Sequence, residues 1–246
     1  MRASIFSLNM TKKRILIVVI AAVLIVALSV ASAVVFGKIK EKREREEFLA
    51  AMREYYDAKV SAFAEENKTI GEVDVAFIGD SITDGYDVAA YYPQYKTANR
   101  GIGGDTTVGL EERLDVSLFD IKPRAVVMLI GANNMREMFD NYESILIKLR
   151  DNLPDSEIVI LSLTAMSKEW GRNNALAKEN NVKIKELAEK YGYTFIDLFT
   201  PLTDVATGEL YADMSEDGGH PNAKGYAKIT EIITPVLDEL LANTGE

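Results

Sequence analysis

From residue 73 onward the chain alternates short, almost wholly apolar runs with stretches of helical spacing. The runs at 73–78, 125–130, 158–163 and 195–198 read as strands, and three of them are continuous enough to be covered on both faces. Helical patterns occupy about 108–119, 142–152, 175–191 and 223–241, the last carrying Pro235, which kinks a helix or starts a new turn in it. Strand followed by helix, repeated, means right-handed crossovers and a mainly parallel sheet between helices. Such sheets take ligands outside the carboxyl ends of their strands. The polar, glycine-containing segments fall there: Gly79-Asp80-Ser81, residues 99–105, and residues 131–134. Three loops distant in sequence are therefore expected at one edge.

Ahead of this body lies a 22-residue apolar run, 15–36, interrupted only by small residues such as Ser29 and Ser32. At about 1.5 Å per residue a helix of that length reaches roughly 33 Å, enough to cross a bilayer core. Lys12, Lys13 and Arg14 precede it; Lys38, Lys40, Lys42 and Arg43 follow. The expected organisation is a short cytoplasmic N-terminus (1–14), a transmembrane signal anchor (15–36), a charged helical stalk (37–69) and an extracytoplasmic α/β domain (70–246). Ala31-Ser32-Ala33 resembles a cleavage site, so a removed signal peptide and a secreted product form the alternative. Positive charge is nearly balanced across the run, and orientation rests on the short leading tail. Residues 38–68 lack Gly and Pro and set Phe48, Met52, Tyr55, Tyr56, Val60 and Phe63 at roughly helical spacing, as in a solvated helix laying one apolar stripe on the domain.

Charge and composition remove several functions. Residues 1–43 carry +7, so the net −10 leaves −17 on the rest. A body that acidic repels phosphate backbones, which argues against a nucleic-acid partner. With no Cys, disulfides, thiolate metal sites, iron–sulfur clusters and a Cys nucleophile are out; one His excludes a multi-histidine metal centre.

That single imidazole, His220, stands in Asp217-Gly218-Gly219-His220-Pro221. A carboxylate three residues earlier in a glycine-rich turn can accept from one ring nitrogen and leave the other to act as a base. Ser81 is the candidate nucleophile, lifted above the sheet edge by the turn at Gly79, although a Ser after a strand also serves as a helix cap. Its setting is not the Gly-x-Ser-x-Gly elbow, because Thr83 stands where the second Gly belongs. Acyl transfer also needs donors for an oxyanion. Gly104 could offer its N–H and Asn133 its side-chain amide. The dinucleotide fingerprint fails at Thr106, where the final Gly would stand.

In these blocks the chain resembles the SGNH, or GDSL-type, serine esterases. Gly79-Asp80-Ser81, Gly104, Gly131-x-Asn133 and Asp217-x-x-His220 match the four family blocks in order, over roughly residues 70–241. The resemblance implies a flavodoxin-like three-layer α/β/α fold and ester hydrolysis through an acyl-serine, without metal or cofactor. It implies Ser81 as nucleophile, His220 as base and then acid, and Asp217 as the group orienting His220. The Ser81 N–H, the Gly104 N–H and the Asn133 side chain would form the oxyanion hole. Asn134 departs from the usual Asp of the third block. With Gly103-Gly104-Asp105-Thr106-Thr107 it looks like the branch holding platelet-activating-factor acetylhydrolase subunits and bacterial acetyl-esterases.

The expected substrate is therefore a small O-acyl ester, acetyl esters of carbohydrates included. A lipid acylhydrolase of lysophospholipase or thioesterase type, and a catalytically silent carbohydrate-binding module, remain as alternatives. Asp80 and Asp84 read as turn hydrogen-bonders. Asp213-x-Ser215-x-Asp217 mimics a calcium loop, but Lys224 stands where a bidentate Glu is needed, so no metal is implied. Trp170 is either core or pocket lip.

Overall fold

The computed structural model describes residues 2–243, without the side chains of residues 2–13, 22, 23, 25–27 and 243. The chain divides into two units, Met1–Glu54 and Tyr55–Glu246. Helix α1 (Arg2–Asn67) has no Pro and one Gly, so nothing in its sequence interrupts the hydrogen-bond ladder. In the first unit every described side chain from Arg14 to Phe36 is exposed. Among the described residues no helix is long and apolar enough to cross a membrane. Five side chains of the expected spanning segment 15–36, those at 22, 23 and 25–27, lie outside the described residues.

The second unit holds a five-stranded, all-parallel sheet in the order β2-β1-β3-β4-β5. Its strands are β1 (Val75–Gly79), β2 (Thr97–Gly101), β3 (Ala125–Leu129), β4 (Glu157–Leu161) and β5 (Thr194–Ile196). Its helices after α1 are α2 (Ser81–Asp84), α3 (Val88–Tyr91), α4 (Thr107–Glu112), α5 (Phe139–Asn152), α6 (Asn174–Tyr191), α7 (Phe199–Leu202) and α8 (Ala223–Asn243). Strand side chains alternate between two cores. Ala76, Ile78, Val126, Met128, Ile158 and Ile160 join Leu110 of α4, Ile145 and Leu149 of α5 and Ile184 of α6. Their neighbours Val75, Phe77, Val127, Leu129, Val159 and Leu161 join Ile229, Ile233 and Leu237 of α8. Helix α5 presents an apolar face at three- and four-residue spacing, through Tyr142, Ile145, Leu146 and Leu149. The result is the expected three-layer sandwich. Strand order reverses between β1 and β3, the point at which such sheets open a crevice.

Two elements differ from expectation. Residues 97–101, overlapping the polar segment expected over 99–105, form edge strand β2, paired with β1 in the register Phe77↔Asn99 and Gly79↔Gly101. Nothing in Thr97-Ala98-Asn99-Arg100-Gly101 alternates by hydrophobicity, because Arg100 is fully buried by partners outside the strand: Glu66, Asn67 and the ring of Phe63. The helix expected over 108–119 is likewise interrupted. α4 ends at Glu112, Arg113 turns inward, and a π-helical turn follows at Asp115–Phe119. Helix α8 continues through Pro235.

Candidate active site

The ends of β1, β2 and β3 carry the three expected loops to one edge. Gly79 closes β1 where an added Cβ would run into the Leu129 carbonyl and the Thr83 side chain, so only glycine fits. Asp80 then caps α2: its Oδ1 accepts from Ile82 N at 3.1 Å. Ser81 opens that short helix, where first-turn N–H groups have no intrahelical acceptor. Its N–H is thus available to a ligand. Asp80 is wholly buried with Oδ2 unpartnered, and burial pushes its carboxyl up to about 6, against the Ile82 N–H and the Arg172 charge.

His220 and Asp217 come from the turn ahead of α8. His220 Nε2 lies 2.8 Å from Ser81 Oγ, and His220 Nδ1 lies 2.8 Å from Asp217 Oδ2. Two side chains 139 positions apart in sequence are therefore in hydrogen-bond contact. Asp217 Oδ1 accepts from the backbone N–H groups of Gly219 (2.9 Å) and His220 (2.8 Å) and from Ser215 Oγ (3.1 Å). Burial opposes its ionisation, but these donors and the His220 ring outweigh it and hold the carboxyl well below its ordinary range. An ionised Asp217 can only accept, so Nδ1 carries the ring proton and Nε2 is left to take one from Ser81.

The opposite wall is the loop after β2. Asp105 N donates to Ile102 O at 3.1 Å, closing a turn in which Gly104 has φ +77°, a conformation glycine adopts without strain. Asn133 Nδ2 donates to Asp105 O (2.8 Å), while its Oδ1 accepts from Arg172 (2.7 Å). That pairing fixes which way the amide faces and leaves one N–H of the NH2 group for a ligand. Asn134, at the departure from the family block, ties the same two loops together through Thr107 (2.8 Å). Beneath the loop the buried ion pair Arg113–Asp105 (2.9 Å) is fully hydrogen-bonded: Arg113 also donates to the carbonyls of Arg100 and Gly79 and to Ser117.

All five expected residues, Ser81, Gly104, Asn133, Asp217 and His220, thus belong to one edge. Two further contributors lie between β4 and α6. Trp170 packs, partly buried, against the second core and also braces the site: its Nε1 donates to Asp217 O (2.6 Å) and its ring meets His220 edge-on at 4.9 Å. A Cβ on Gly219 would collide with that ring. Arg172, two residues later, holds Asn133. No pattern in the polar connection 167–173 marks either residue, because both act through contacts made only after folding.

A family model described as the GDSL-like Lipase/Acylhydrolase family matches residues 77–228. An acetylxylan esterase from Xylanibacter ruminicola is 27% identical over 210 residues, covering 66% of this chain and 42% of the relative. The chain thus spans less than half the length of that curated relative. A solved structure from Streptococcus pneumonia, provisionally described as a platelet activating factor, aligns with TM-score 0.73 at 26% identity, over 78% of this chain and 97% of that one. An acetylxylan esterase from Geobacillus stearothermophilus aligns with TM-score 0.56 at 19% identity, over 68% and 95%, a likeness of fold alone.

Proposed function

The chain belongs to the GDSL-like Lipase/Acylhydrolase family, and from that premise we propose that it is a serine esterase, hydrolysing short O-acyl esters through an acyl-serine. The observation that carries this reading is the continuous line from Ser81 Oγ through the His220 ring to Asp217, with 2.8 Å at both joints. Ser81 Oγ adds to the acyl carbon as its proton passes to His220 Nε2, and ionised Asp217 holds the imidazolium. The N–H groups of Ser81 and Gly104 and the free N–H of Asn133 receive the charge on the carbonyl oxygen. His220 returns the proton to the departing alcohol. The same ring then deprotonates a water, whose attack releases the acid and restores Ser81.

Acetyl esters of carbohydrate are the favoured substrates. The acetylxylan esterase similarity supports this. So does a depression of about 350 Å³ beside the oxyanion wall, lined by Asn133, Asn134, Arg136, Glu137, Arg172 and Asn173, which suits a hydroxyl-rich alcohol better than a long acyl chain. We also read residues 15–36 as a membrane anchor holding the catalytic part outside the cell, or as a leader whose removal secretes it. The described apolar side chains from Ile15 to Phe36 are exposed, and basic residues flank the run.

The test is an ester panel from p-nitrophenyl acetate to the palmitate, using the full chain in detergent. Acetate turnover should fall by at least about 10⁴-fold in Ser81→Ala at unchanged thermal stability. Turnover surviving that substitution would refute the reading, and a maximum at long chains would move the substrate to lipids. For the anchor, protein released from membranes by alkaline carbonate, with an intact N-terminus by mass, would rule the span out.

A further inference from the structure

The oxyanion loop and its flanks are backed by the last turns of α1. Phe63, only 5% exposed, lies under the guanidinium groups of Arg100 (4.9 Å) and Arg113 (6.0 Å). Tyr56 OH donates to Gly109 O and Asn67 Nδ2 to Val116 O, each at 2.7 Å. These contacts dock the helix. A second set reaches the loop itself. Asp84, which closes α2 three residues after Ser81, accepts Gly103 N at 3.0 Å on Oδ2. That same Oδ2 also accepts Tyr55 OH, and Oδ1 accepts Lys59 Nζ at 2.6 Å. The Tyr55 ring lies directly over Gly103, within van der Waals reach of the Cβ that Gly103 lacks.

We propose that Tyr55 and Lys59 are positioning residues for the oxyanion hole: by fixing the Asp84 carboxylate they hold the Gly103 N–H and so set where the neighbouring Gly104 N–H points. The inference rests on the esterase reading above. Its physical basis is the freedom of the segment. Gly103-Gly104 has no side chain of its own to restrain it, so its conformation depends on what grips the backbone. Beside the Asn133 and Arg113 contacts made at Asp105, the segment is held by the turn bond from Asp105 N to Ile102 O and, at Gly103 itself, by Asp84. Without a cation and a phenol, Asp84 could follow solvent away from the loop. Burial and the adjoining carboxylate push the Tyr55 phenol up to about 12, so it remains a donor over the working pH range. A stabiliser of developing negative charge contributes only when its donor is already aimed.

The full chain in detergent is assayed with p-nitrophenyl acetate as wild type, Tyr55→Phe, Lys59→Met, Lys59→Arg and Tyr95→Phe. Hydrogen exchange of the 100–107 segment is followed by mass spectrometry. Tyr95 is the control, since its hydroxyl also bonds a carboxylate, Asp238, but away from the loop. Tyr55→Phe and Lys59→Met should each lower kcat roughly tenfold with KM within about twofold, and speed exchange in the loop. Lys59→Arg should recover most of kcat, and Tyr95→Phe should match wild type. Variants with wild-type kcat, or a loss shared equally by Tyr95→Phe, would overturn the inference while leaving the esterase intact. A wild type inactive on every ester would bring down the functional reading, and this inference with it.

Discussion

The two walls of the site are built on different principles. The wall carrying His220 and Asp217 is local: the carboxylate and imidazole are three residues apart, and the donors that hold Asp217 ionised come from residues 215–220. The wall carrying Gly104 and Asn133 is assembled from afar. Its loop is gripped by Asp84, by Arg172 through Asn133, and by a buried Arg113–Asp105 pair whose guanidinium also donates to carbonyls of β1 and β2. Half-exposed hydrogen bonds can be lost from the first wall at little cost to folding. The second wall contains charge that water cannot reach, so it joins catalysis to stability.

The largest effect should therefore come from the second wall. Arg113→Met would leave Asp105 charged and unpaired in the interior and should cost about 3–5 kcal/mol in urea unfolding. Breaking the exposed Lys224–Asp213 pair with Lys224→Met should leave the urea midpoint close to that of wild type. Equal losses in the two variants would erase the contrast.

Asp80 sharpens it with pH. Its carboxyl, ordinarily 3.8, is pushed up to about 6 by burial, so the folded state favours the protonated form. That contribution is fully present below pH 3.8 and lost as pH rises through about 6. Asp80→Asn keeps an oxygen for Ile82 N and removes the titration. It should be more stable than wild type at pH 7, by up to about 3 kcal/mol, with the advantage shrinking toward pH 4. A pH-independent difference would show that Asp80 does not titrate in this range. The smallest effect concerns Arg172→Ala. Freeing the Asn133 amide should lower kcat about tenfold, less than the loss of an oxyanion donor itself. An unaltered kcat would mean that Asp105 O alone orients Asn133.

Legibility followed the same division. β1, β3 and β4 announced themselves because strands covered on both faces must be apolar throughout. β2 did not: its buried Arg100 is paired with Glu66 and donates to Asn67 Oδ1, both more than thirty residues upstream. The helix expected over 108–119 broke because Arg113 was drawn inward to Asp105, a demand that no local pattern carries. Ser81, Asp217 and His220 were visible because each sits in a short block whose turn chemistry is local. Trp170 and Arg172 were not, since a side chain that braces a loop nearly fifty or forty positions away has no spacing to betray it.

Residue order alone thus determined the alternating architecture, the edge at which ligands gather and the chemical types present there. These follow from backbone periodicity, turn geometry and the reactivity of single side chains, which act over a few residues. Folding in three dimensions decided the polar edge strand, the orientation of the Asn133 amide and the use of α1 as backing for the Gly103-Gly104 loop. Those depend on which charges lose water together, and desolvation is a property of the packed neighbourhood rather than of any segment within it.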